Sequence, residues 1–169
     1  LVASVIESGH IIARILSALL WMLEEPVRIV NLSVGIPGWN PIFRPVIQAL
    51  RQRGVLVVAA IGNGGAGHFC SPGVYPEVLC VGAADETGKA LPFSGSKNEY
   101  LHCHKPDVLG LSNLPSIRNG GDLYTGNTCT SGATAYISGM AAQLMSLVPG
   151  ATADQVAYVL KSTALPLLP

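Results

Sequence analysis

Seven consecutive apolar residues, Val55, Leu56, Val57, Val58, Ala59, Ala60 and Ile61, leave this chain few folds to choose from. A strand with one face in water alternates apolar and polar side chains, whereas a strand covered on both faces reads as an unbroken apolar run. Gly54 and Gly62 bound the run, which is too short for a buried helix. It predicts an inner strand of a parallel sheet covered by helices on both sides. Val78, Leu79, Cys80, Val81, Gly82 and Ala83 read the same way.

Around these runs the chain alternates strands and helices. Residues 2–6 read as a short strand, and residues 10–25 as a helix with a narrow polar stripe of Arg14, Ser17, Trp21 and Glu25. Pro26 ends that helix and residues 27–33 are β-rich, until Gly35, Pro37 and Gly38 break the strand. Asn40 before Pro41 is a helix start, a capping side chain followed by proline at the first helical position. This helix turns Phe43, Val46, Ile47 and Leu50 inward and stops at Gly54. Residues 85–128, rich in Gly, Pro, Ser and Asn, read as short strands and surface loops. A helix from Ser131 to Leu147 is closed by Pro149 and Gly150, and Thr152 with Gln155 forms a capping box for a last helix to Ser162. The order predicts a three-layer, doubly wound α/β fold with a mostly parallel sheet and right-handed crossovers. With no repeat and no linker, residues 1–169 are expected to form one domain.

Composition removes several function classes. Ten basic residues against ten acidic ones give no electrostatic case for nucleic acid or an acidic membrane. No apolar run reaches the ~18 residues of a membrane span, and residues 11–23 are interrupted by Arg14 and Ser17. Hydrophobic residues at 49% against 12% charged ones are apolar for a soluble monomer, so part of the surface is expected to meet another segment. Cys70, Cys80, Cys103 and Cys129 lack the close spacing of a zinc site, and neither a metal nor another cofactor is expected. Their even number permits two disulfides without arguing for them. Gly62, Asn63, Gly64, Gly65, Ala66 and Gly67 match the dinucleotide-binding pattern of glycines, but the next strand starts too soon for the helix that would take the pyrophosphate. The start Leu1-Val2-Ala3 fits a mature secreted protein or a processed fragment, and a secreted or extracellular location is the expectation.

Two segments can carry chemistry. Thr130-Ser131-Gly132-Ala133-Thr134-Ala135 runs directly into a helix of small residues. A serine in a first helical turn sits where backbone N–H groups and the dipole favour negative charge, which suits a nucleophile whose reaction passes through an oxyanion. The same serine could simply cap the helix. Asn63 stands just past an inner strand, at the end where open α/β sheets place their sites, and its amide can donate to an oxyanion. An Asn between glycines also suits an ordinary turn.

Together the two segments resemble the nucleophile motif (G-T-S-M-A-x-P) and the oxyanion-hole motif (A-A-x-G-N) of the subtilisin-like serine proteases. Further pieces occur in the same order. Val27-Arg28-Ile29-Val30-Asn31-Leu32-Ser33-Val34-Gly35 looks like the family's D-V-I-N-M-S-L-G strand. Tyr75-Pro76-Glu77-Val78-Leu79-Cys80-Val81-Gly82-Ala83 looks like its Y-P-x-V-I-A-V-G-A strand, and Phe93-Ser94 and Lys105-Pro106-Asp107-Val108 look like its F-S and K-P-D-V segments. The resemblance runs from about residue 2 to residue 165.

The resemblance implies a subtilisin-like sheet lacking its N-terminal strands, and a serine endopeptidase working through an acyl-enzyme. It makes Ser131 the nucleophile, with Asn63 and the Ser131 backbone N–H as oxyanion donors. Ser33, Val34 and Gly35 would pair with a polypeptide substrate and wall its primary pocket, opposite Ala60, Ile61 and Gly62. Such a pocket suits an apolar or uncharged side chain. The family's Asp and His precede the aligned region, so a companion segment upstream is expected to supply them. His10, His68, His102 and His104 are the local candidates for a substitute base. Calcium occurs in the family, but the residues here do not support a site. The alternative is a pseudoprotease, a binding or scaffold module that keeps the peptide cleft without a base. Cys129 in place of the usual Gly, Gly132 after the nucleophile, Ala135 in place of Pro and Gly110-Leu111-Ser112 in place of Ala-Pro-Gly mark a divergent branch.

Overall fold

The computed structural model describes residues 1–6, 9–97, 104–117, 120–125 and 128–166. In chain order its elements are α1 (Ile11–Glu24), β1 (Ile29–Leu32), β2 (Ile36–Pro37), a 3₁₀ turn at Pro41–Phe43 leading into α2 (Arg44–Gln52), and β3 (Leu56–Ala60). There follow β4 (Cys70–Ser71), β5 (Leu79–Ala84), β6 (Val108–Leu111), β7 (Pro115–Ile117), β8 (Leu123–Thr125), α3 (Thr130–Leu147) and α4 (Ala153–Ser162). The strands β1, β3, β5 and β6 form a parallel sheet in that order. The short strands β2 and β4 pair antiparallel, as do β7 and β8.

The unbroken apolar run is an inner strand, as its composition demands. Val30 of β1 lies opposite Val57, and Ala59 lies opposite Cys80 of β5. Alternate side chains then go to opposite layers. Val55, Val57 and Ala59 pack with Ile15 and Leu19 of α1 and with Val46, Ile47 and Leu50 of α2. Leu56 and Val58 pack with Ala133, Ile137, Ala141 and Met145 of α3 and with Val156 and Leu160 of α4. Each buried Val, Leu or Ile contributes roughly 1.5–3 kcal/mol relative to exposure. The result is the expected three-layer arrangement.

Local signals in the sequence act where they were read. Asn40 Oδ1 accepts the Ile42 N–H at 3.1 Å, although the turn it caps is 3₁₀ before the chain widens into α2. Gly54 ends that helix region with φ +78°. Thr152 and Gln155 form both bonds of the capping box on α4. Among its described residues, the loop-rich stretch supplies one strand of the main sheet, β6, and the antiparallel pair β7 and β8.

Residues 2–6 are a correction, because they form no strand. A strand needs a neighbour for its N–H and C=O groups, and these residues do not take up the open outer edge of β1, leaving Leu1, Val2 and Ile6 exposed. Ile11, Ile12 and Leu20 of α1 are also exposed. Among the described residues, no helix is long and apolar enough to cross a membrane.

Small residues seat α3 on the sheet. A Cβ at Gly110 would stand 2.7 Å from the Ala133 carbonyl oxygen, so only glycine lets the first turn of α3 approach β6 this closely. That approach brings Ser131 to the C-terminal ends of β1 and β3.

Candidate active site

Thr130 opens α3, and the capping position falls on Cys129, whose side chain makes no capping bond. Ser112 Oγ donates to the Cys129 carbonyl at 2.8 Å and anchors the approach to the helix. Ser131 is therefore the second helical residue and not a cap, which leaves its hydroxyl out of the helix's own bonding. Its Oγ donates to the Ser33 carbonyl at 3.3 Å, and Ser33 Oγ donates to the Ser131 carbonyl at 3.1 Å.

Asn63 reaches the same helix end from the loop after β3. Its Oδ1 accepts the backbone N–H and the hydroxyl of Thr130, each at 2.9 Å. A backbone N–H can only donate, so it fixes which end of the amide faces α3. The Asn63 Nδ2 group is thereby turned the other way, with no protein partner among the described residues. The loop is held by Gly62, at φ +110°, whose carbonyl accepts the Gly95 N–H at 2.9 Å.

Leu32 lies opposite Ala59 in the sheet, so Ser33, Val34 and Gly35 emerge beside Ala60, Ile61 and Gly62. Cys70 fills the space between the two segments, a position the sequence reading missed. A Cβ at Gly62 would stand 2.7 Å from Cys70 Sγ, and one at Gly35 would stand 2.9 Å from Cys70 Cβ. Cys70 N donates to the Ile61 carbonyl at 2.8 Å, and burial pushes the thiol's pKa up, which keeps it protonated. A glycine in each facing segment was the one signal of a side chain wedged between them.

Among the described residues, no histidine is hydrogen-bonded to Ser131. The exposed His68 ring lies 3.3 Å from the Ala66 carbonyl of its own loop. His10 stands at the N-cap position of α1 without a side-chain capping bond, and His104 is exposed beside Lys105. His102 and Cys103 lie outside the described residues. Cys129 is half-buried with a free thiol. Among the described residues, no three His, Cys, Asp or Glu side chains converge as metal ligands.

The chain belongs to the Subtilase family, whose profile matches residues 7–167. Subtilisin Savinase of Lederbergia lenta is 32% identical over 153 residues, covering 90% of this chain and 55% of that protein. M-protease of Shouchella clausii is 32% identical over 153 residues, covering 90% of this chain and 39% of the relative. The solved structure of the prenylagaramide maturation protease PagA superposes with a TM-score of 0.85 at 26% identity, covering 98% of this chain and 63% of that one. The PatG macrocyclase in complex with peptide superposes with a TM-score of 0.81 at 25% identity, covering 94% and 50%. The chain thus spans about half or less of the length of these curated relatives.

Proposed function

We propose that this chain is the nucleophile-bearing part of a serine endopeptidase, whose Asp and His come from a segment upstream. The reading rests on one relationship above all. Asn63 and Thr130, 67 residues apart, are bonded so that a free amide N–H pair stands beside a serine in a first helical turn. Ser131 Oγ attacks the peptide carbonyl while its proton passes to the imidazole. The Asn63 side chain and the Ser131 N–H receive the oxyanion. The C–N bond then breaks as that proton passes to the leaving amine, and water hydrolyses the acyl-enzyme. The substrate adds as an extended strand beside Ser33, Val34 and Gly35. The Cys70 thiol between the pocket walls favours a small, uncharged side chain there. The upstream segment docks along the open edge of β1 and over the exposed apolar side chains of α1.

A second reading has its own observation, since the Ser131 hydroxyl is engaged by the Ser33 backbone carbonyl. On that reading the chain is a peptide-binding module without catalysis. A fluorophosphonate probe with intact-mass readout separates the two. Labelling of Ser131 once the upstream segment is present, lost in Ser131→Ala, supports the protease. A chain that binds peptide yet stays unlabelled with the segment bound is the module.

A further inference from the structure

We propose that Asn31 and Ser138 are positioning residues for Ser131 that act through Ser33; the proposal rests on reading Ser131 as the nucleophile. Thr130, Thr134 and Ser138 are spaced four apart on α3 and so stand above one another on one face. Thr134 Oγ1 donates to the Thr130 carbonyl at 2.7 Å. Ser138 Oγ reaches two acceptors with its single proton, the Thr134 carbonyl at 2.8 Å and Asn31 Oδ1 at 2.9 Å. Asn31 Nδ2 donates to Ser33 Oγ at 3.1 Å, and Ser33 Oγ donates to the Ser131 carbonyl at 3.1 Å. Donation runs in one direction from Asn31 through Ser33 to the backbone of Ser131, and Ser138 joins its head whenever its proton turns from the Thr134 carbonyl to Asn31 Oδ1.

The direction matters because Ser33 has one hydroxyl proton. With the Asn31 N–H on its lone pair, that proton is left to point at the Ser131 carbonyl, which fixes the Ser33 rotamer. The Ser33 backbone carbonyl in turn accepts the Ser131 hydroxyl. Asn31 lies on β1, two residues before Ser33. The side-chain relay ties this strand to α3, and so sets the spacing between the strand beside the substrate and the nucleophile. Ser138 is the far anchor and touches no reacting atom.

The test uses the complete protease, this chain with the upstream segment, and a chromogenic peptide substrate. Ser138→Ala and Asn31→Ala are expected to lower kcat by about threefold to tenfold, part of the roughly 100-fold that a 1 Å misplacement costs. KM should stay within about twofold, since ground-state binding is untouched. Ser138→Thr keeps the hydroxyl and should recover kcat. Unchanged kcat in both alanine variants would overturn the proposal. So would a Ser138→Thr enzyme as slow as Ser138→Ala, or a kcat loss matched by a loss of folded protein. Ser131→Ala in the same assay separates this from the parent reading. Hydrolysis that survives it overturns the nucleophile assignment itself, whereas full loss there beside an unaffected Ser138→Ala overturns the positioning alone.

Discussion

Thr130 places both its N–H and its hydroxyl on one atom, Asn63 Oδ1, at 2.9 Å each, and so leaves the Nδ2 end of the amide unengaged by the helix. An amide held this way is pre-oriented as a donor and needs no rearrangement when charge develops nearby. Asn63→Asp is the informative substitution. A carboxylate still accepts both Thr130 bonds but offers an acceptor where the donor stood. In the complete protease, Asn63→Asp and Asn63→Ala are expected to lower kcat by about 100- to 1000-fold, with a much smaller change in KM. Steady-state kinetics on a peptide substrate reads both, and an unchanged kcat removes Asn63 from the mechanism.

The seat of α3 can be tested without any activity. A Cβ at Gly110 would meet the Ala133 carbonyl at 2.7 Å and Ile137 Cγ1 at 3.0 Å, and a helix backbone cannot step aside as a flexible side chain can. Gly110→Ala should cost about 1–3 kcal/mol, the usual range for overpacking. Gly139 on the same helix has nothing within 4 Å of its would-be Cβ. Gly139→Ala should therefore stabilise the chain by about 0.5–1 kcal/mol. Urea unfolding of the two variants gives both signs, and equal destabilisation would remove the close approach as the cause.

These contrasts mark where the sequence could be read. Residues 55–61 announced a two-sided strand because burial on both faces leaves no polar position, and Thr152 with Gln155 announced a cap because both partners lie within one turn. The assignment of residues 2–6 failed on the same physics: an apolar stretch shows strand propensity, while pairing depends on a neighbour that local sequence does not specify. The resemblance pointed to Ser131 and Asn63, but the bond that ties Asn63 to α3 spans 67 residues and was not legible. Asn31 and Ser138 were passed over because small polar residues in a strand and in a small-residue helix look ordinary. The four-residue spacing of Thr130, Thr134 and Ser138 was the available clue. Cys70 was weighed only as a metal or disulfide partner, since its contacts with Gly35 and Gly62 arise from separate loops.

Cys70 carries the next expectation. Its thiol stands between two segments whose glycines leave it just enough room. Cys70→Gly would empty that space without disturbing the Cys70 N–H bond to the Ile61 carbonyl. The kcat/KM ratio of a substrate with a large aromatic side chain over one with alanine should rise by about tenfold, the low end of what one added or missing methylene is worth in a pocket. A ratio that does not move would mean that the substrate side chain does not enter between these walls.

Glu77 gives a pH dependence with a definite sign. Its Oε1 accepts Arg44 Nε and Nη2, each at 2.9 Å, and Gln48 Nε2 at 2.8 Å, tying the turn before β5 to α2. Burial works to raise the carboxyl's pKa, but the hydrogen bonds from Arg44 and Gln48 together with the Arg44 charge outweigh it and hold the group below its ordinary 4.5. A carboxylate whose pKa is lower folded than unfolded stabilises the fold above the unfolded value, and that contribution is lost as pH falls through the folded one. Urea midpoints from about pH 7 down to about pH 3 should therefore fall more steeply in the native chain than in Glu77→Gln, with the difference opening below the ordinary carboxylate pKa. The two curves should run parallel at higher pH, offset by the charged bonds that Glu77→Gln loses. Parallel curves throughout the acid range would show that the Arg44 contact leaves the Glu77 pKa where it is in the unfolded chain.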